Sequence, residues 1–84
     1  MLIVFLEQAV VELEILDEPL YSKILKKAKM LERFPELGAE MFDAFIGYRS
    51  LATEPYRIIY RVVGEKRIEI AFLFHMKRKP EIPG

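Results

Sequence analysis

Two arginines stand four residues apart in the run Pro55-Tyr56-Arg57-Ile58-Ile59-Tyr60-Arg61-Val62-Val63. Further on, the single histidine of the chain, His75, leads into Met76-Lys77-Arg78-Lys79. A strand alternates its side chains, so Arg57 and Arg61 share one face with Ile59 and Val63, and Tyr56, Ile58, Tyr60 and Val62 share the other. Arg49 lies on the preceding apolar stretch. Adjacent pairing is expected to gather it into a cationic patch with Arg57, and Lys77, Arg78 and Lys79 follow the last strand. Guanidinium forks bind phosphate well. Cleavage of RNA at the 2′-hydroxyl needs little beyond charge stabilisation and proton transfer, and His75 suits a proton shuttle or a phosphate contact.

Each of these residues also has a simpler reading. The arginines serve equally as exposed strand residues paired with Glu54, Glu65 or Glu69. His75 serves as a half-buried strand-end histidine bonded to backbone. Tyr48, Tyr56 and Tyr60 serve as packed cross-strand side chains rather than as platforms for bases. Spacing alone favours the simpler readings. A second class of function is pure binding, in which a basic face, a sheet edge and an apolar groove are wrapped by a partly disordered acidic partner.

Composition narrows the chemistry. The 84 residues contain no cysteine, so disulfides and thiolate metal sites are ruled out. With one histidine and no carboxylate cluster at ligand spacing, a transition-metal site is not expected, nor is any cofactor. Net charge is zero but unevenly spread. Residues 1–46 carry five Lys/Arg against nine Asp/Glu, and residues 47–79 carry eight against three. The second half therefore offers a positive face to a phosphate-rich or acidic partner. The opening Met1-Leu2-Ile3-Val4-Phe5-Leu6 has no basic n-region and is too short to span a membrane, so a cytoplasmic protein without membrane contact is expected.

The elements that must position these groups form one α+β domain over residues 1–84. Residues 2–6 predict a strand. Ala9, Val10, Leu13 and Leu16 recur at helical spacing and predict a helix of about ten residues. Asp17 is expected to cap the next helix, with Glu18 complementing its dipole and Pro19 in its first turn. Leu20, Ile24, Ala28 and Leu31 form the buried stripe of that helix, with Lys23, Lys26, Lys27 and Lys29 as its wet face. It should end near Arg33, because Pro35 disfavours helix at Phe34. Residues 39–46 read either as a short helical turn or as an irregular connection. Strands follow over 48–53, 56–63 and 66–76, the last two joined at Gly64-Glu65. The order is β-α-α-β-β-β, a two-helix hairpin packed on one face of a small, mostly antiparallel sheet.

The whole arrangement resembles the RelE/ParE superfamily of toxins from type II toxin–antitoxin pairs. The resemblance runs nearly the length of the chain, through Val4-Phe5-Leu6-Glu7-Gln8-Ala9, Lys23-Ile24-Leu25, Phe34-Pro35-Glu36-Leu37-Gly38 and Gly47-Tyr48-Arg49-Ser50-Leu51. Its most specific part is Pro55-Tyr56-Arg57-Ile58-Ile59-Tyr60-Arg61-Val62, with the downstream Phe74-His75-Met76-Lys77-Arg78. The resemblance implies two helices on a twisted antiparallel sheet, and a cytoplasmic growth inhibitor silenced by a cognate antitoxin that is small, acidic and partly disordered. RelE-like members cleave mRNA on the ribosome without a metal, and ParE-like members inhibit DNA gyrase by binding. Carried over, Arg57 matches the arginine of the shared tyrosine-arginine motif and would bind phosphate. Arg49 falls near a basic position on the preceding strand, and Lys77 or Arg78 near the arginine that follows the last strand. His75 would stand in for a proton-transfer group, and Arg61, Lys79 and Tyr56 would serve RNA or partner binding. Two departures from the nucleases are plain: Ala52 or Thr53 occupies a position that is often basic, and no tyrosine follows Tyr60. The short first helix and the basic patch favour ribosome-associated mRNA cleavage, with gyrase inhibition or a non-toxic relative as alternatives.

Overall fold

The structure, a computed structural model, describes residues 1–77. Its elements are β1 (Leu2–Phe5), α1 (Glu7–Glu14), α2 (Leu20–Met30), β2 (Ala39–Glu40), a 3-10 turn (Asp43–Phe45), β3 (Arg49–Thr53), β4 (Tyr56–Val63) and β5 (Arg67–His75). The expected order is present. Residues 39–46, ambiguous in the sequence, supply both a two-residue strand and the 3-10 turn.

All five strands form one sheet in the order β1-β5-β4-β3-β2. Three pairings are antiparallel, and the fourth, β1 with β5, is parallel. The β4–β5 turn depends on Gly64, whose φ of 65° lies in the left-handed region that glycine enters without penalty. Opposite Ile59 and Tyr60, the register of β5 jumps from Phe72 to Ile70. Ala71 is therefore the extra residue of a bulge, which reverses the alternation of β5. Before it, Ile68 and Ile70 face the helices; after it, Leu73 and His75 do.

The helices cover this one face. Ala9 and Leu13 of α1 and Ile24, Ala28 and Leu31 beside α2 pack on Leu51, Ile58, Tyr60, Ile68, Ile70 and Leu73, with Ile3 and Phe5 completing the cluster. Neither helix is long enough to persist without that cover. The N-terminus of α2 is secured differently from the sequence expectation. Asp17 offers only its carbonyl, to the N–H of Tyr21 at 3.1 Å. The carboxylate of Glu18 instead accepts from both the backbone N–H (2.8 Å) and the hydroxyl of Ser22. Those two bonds hold the Glu18 carboxyl below the usual carboxylate range, the hydroxyl having the larger effect. Glu18 wins because its longer side chain spans one helical turn. Beyond Met30, bonded turns continue to Phe34 before Pro35 ends them.

Candidate functional site

The face of the sheet away from the helices carries Arg57 and Arg61 of β4, Ser50 and Ala52 of β3, and Glu69, Phe72 and Phe74 of β5, as the register requires. Arg57 stands opposite Phe74 and donates to the Ser50 hydroxyl at 3.2 Å. Among the described residues, no carboxylate pairs with it. Arg61 is in a different condition. Its Nε and Nη2 both donate to Glu69 Oε1, at 3.0 and 2.9 Å, and its guanidinium lies 5.5 Å from the Tyr48 ring centroid. Arg67 reaches the other oxygen of Glu69 at 3.4 Å. The two hydrogen bonds that Arg61 donates to Glu69 hold its guanidinium above the usual pKa. Between the two arginines, the 3-10 turn lays Phe45 against Phe72 (5.8 Å between centroids), and Phe74 continues the row at 6.2 Å. Ile59, on this same face, is fully buried.

Arg49 is not part of this surface. It pairs with Tyr60 across β3–β4 and so points to the helix side. There its Nη1 donates to the carbonyls of Gly38 (2.8 Å) and Glu36 (3.4 Å), and its Nη2 to Glu40 at 3.3 Å. The expected patch joining Arg49 to Arg57 does not form: the two guanidinium groups lie on opposite faces, and Arg49 is tied to the loop that precedes β2. His75 and Tyr56 also face the helices. Their rings meet edge to face at 5.2 Å, and His75 Nδ1 accepts the N–H of Lys77 at 3.1 Å. Lys77 is exposed at that end of β5. Arg78 and Lys79 lie outside the described residues.

Tyr60, the second tyrosine of the motif, is fully buried. Its hydroxyl donates to the Pro35 carbonyl and accepts the Gly38 N–H, both at 2.8 Å. It thereby pins the Phe34–Gly38 turn, and base stacking is closed to it. Burial pushes its phenol above the ordinary value, against the opposing effects of the Gly38 bond and the Arg49 charge. A raised folded pKa means that the neutral phenol favours the folded state. That contribution is complete below about pH 10 and is lost as pH rises through the folded value. The unfolding midpoint of the wild type should therefore fall in an alkaline step that Tyr60→Phe lacks. Parallel pH profiles for the two proteins would remove the assignment.

The sequence offered a cue to Glu69 in its position on the strand after Arg61. The aromatic row gave no such cue, because it depends on where the 3-10 turn folds back.

The family model for ParE toxins of type II toxin–antitoxin systems, parDE, matches residues 3–80. The chain belongs to this family. Solved structures agree on the fold of this ParE-family toxin. It is similar to a chain of the RelBE2 toxin–antitoxin complex from Mycobacterium tuberculosis, at 23% identity and a TM-score of 0.81, covering 88% of this chain and 95% of that one. It is similar to the YoeB/ParE toxin from Agrobacterium tumefaciens, at 25% identity and a TM-score of 0.78, with 89% and 98% covered. A chain of the chromosomal ParDE system of P. aeruginosa gives 24% identity and a TM-score of 0.71, with 89% and 95% covered. No curated protein matches the toxin by sequence.

Proposed function

We propose that this toxin arrests growth by binding its target, DNA gyrase, rather than by cleaving RNA, and that an acidic antitoxin encoded beside it keeps it silent. One observation carries the reading: the groups that a nuclease would bring together are held apart. Arg57 lies on the open face, Arg61 is neutralised by Glu69, and Arg49 and His75 are on the helix side. General acid–base catalysis needs its groups within hydrogen-bond reach of one substrate, whereas binding needs only a surface. A cation beside an aromatic row is such a surface. The zero net charge points the same way, since binding to the ribosome's phosphates draws on an excess of cations.

Ribosome-associated mRNA cleavage is the second reading. It draws on Arg57 standing opposite Phe74, which places a phosphate ligand next to a ring on which a base can stack. A gyrase supercoiling assay with purified toxin, run alongside mapping of transcript 5′ ends after induction, separates the two. Supercoiling should be lost at near-equimolar toxin while transcripts stay intact. New 5′ ends at translated codons with supercoiling untouched would establish the nuclease instead. Normal growth with neither effect would mark a non-toxic relative.

A further inference from the structure

The open face holds most of what a single-stranded nucleic acid needs. Such strands bind where bases stack on aromatic rings and cations track the phosphates. Here Phe45, Phe72 and Phe74 form a half-buried row. Arg57 stands opposite Phe74, and Arg61 lies four residues further along β4, roughly 13 Å away by the rise of a strand. Arg67 of β5 adds a third cation on this face. One residue breaks the platform. Glu69 sits directly across from Arg61, with its side chain 12% exposed against 45% for Arg61 and 51% for Arg67. Its Oε1 accepts from both Nε and Nη2 of Arg61, and its Oε2 lies 3.4 Å from Nη2 of Arg67.

We propose that Glu69 decides which class of target the open face accepts: it closes the face to nucleic acid and reserves it for a protein surface. The inference rests on the reading that the toxin acts by binding gyrase, and it names the group that enforces that choice. A phosphate arriving at Arg61 must displace a carboxylate already bonded to two of its donors. The displaced carboxylate cannot leave, because Glu69 is a paired residue of β5 and is mostly buried. It then faces the phosphate as a like charge, a repulsive element set against the wrong partner.

A protein ligand meets no such obstacle. It needs apolar surface for the phenyl row and one carboxylate for Arg57, which has no acidic partner among the described residues. It leaves the bonds between Glu69 and Arg61 undisturbed. Bracing of the sheet accounts for little of the arrangement, since ion pairs of half-exposed arginines add little to stability.

The test is a gain of binding rather than a loss. Glu69→Gln keeps the shape of the side chain and an oxygen for Arg61 while removing the charge. Titrated with a single-stranded RNA oligonucleotide at low salt and followed by fluorescence anisotropy, the folded variant should bind about tenfold or more tightly than the wild type. Its affinity should also fall more steeply with salt, by about 0.7 in the slope of log K against log salt for each phosphate newly held. Adding Arg61→Gln to Glu69→Gln should remove most of both gains. A side chain that only braced β4 against β5 would change the melting temperature and move neither quantity. A second measurement needs no variant: in wild-type toxin titrated with the same RNA, the Nε–H NMR signal of Arg57 should shift while that of Arg61 stays in place. Equal RNA affinity of the wild type and folded Glu69→Gln, a gain undiminished by Arg61→Gln, or an Arg61 signal that moves with that of Arg57 overturns the proposal. If Glu69→Gln does not fold, the Arg61 signal alone decides. If the wild type leaves gyrase supercoiling intact, the gyrase reading falls, yet the RNA titrations still decide the part played by Glu69.

Discussion

Arg57→Ala should abolish growth arrest while leaving the melting temperature within about 2 °C of the wild type. Among the described residues the Arg57 side chain makes one hydrogen bond, to Ser50 at 3.2 Å, so its removal takes little from the fold. What it takes from function is larger, because Arg57 is the guanidinium of the open face without a carboxylate among the described residues. The loss expected is that of a central interface arginine, at least about 2 kcal/mol or roughly thirtyfold in target affinity. The contrast with its neighbours is the sharper test. Arg49→Ala should lower stability by about 1–3 kcal/mol, since it frees the Gly38 and Glu36 carbonyls, and should touch inhibition only through stability. Colony counts after induction, set against thermal melts of the purified variants, resolve the two. A fully toxic Arg57→Ala protein would remove the open face from the mechanism.

Gly38→Ala should be among the most damaging single changes to the fold. A Cβ on Gly38 would lie 2.8 Å from Tyr60 Cε1, 2.9 Å from the Tyr60 hydroxyl and 3.0 Å from the Ser50 carbonyl. None of these can retreat easily. Tyr60 is fully buried, and Ser50 is backbone in a paired strand. Overpacking of this kind costs about 3 kcal/mol, which for a domain of this size lowers the melting temperature by more than about 10 °C. Tyr60→Phe, which strands the Gly38 N–H and the Pro35 carbonyl, should cost about 1–3 kcal/mol. The double variant should lose less than the sum, because removing the hydroxyl relieves one of the close approaches. Calorimetry on the four proteins measures the coupling, and strict additivity would argue against this contact as the cause.

Much of this architecture is legible in the residues themselves. The apolar stripes of both helices, the Gly64 turn and the alternation of β4 appear where the sequence places them. The parallel partner of β5 does not, because nothing in four apolar residues encodes which strand they join. The aromatic row and the fork from Glu69 also follow from register, and the bulge at Ala71 hides inside an apolar run whose faces look alike. Arg49 is the instructive case. It stands two residues before Leu51, and a strand of period two sets both on one face. Once Leu51 is assigned to the core, Arg49 must accompany it, so the same alternation that picked out Arg57 also excluded Arg49 from its company. Nearness between adjacent strands does not put two side chains on one side of the sheet. The capping of α2 was hidden for another reason, since local preference favours the short Asp17 side chain and the observed bonds depend on the reach of Glu18.

The position of β5 has a consequence in time. Among the described residues it is the last strand, and it is the one that links β1 to the remainder of the sheet. As the polypeptide emerges during synthesis, β1 has nothing to pair with, and the core lacks Ile68, Ile70 and Leu73 until residues 67–75 arrive. A fragment that stops before residue 67 lacks the strand that carries Phe74, so the open face around Arg57 is incomplete in it. The fold thus carries its own delay: the sheet and its open face are completed only once residues 67–75 have been made.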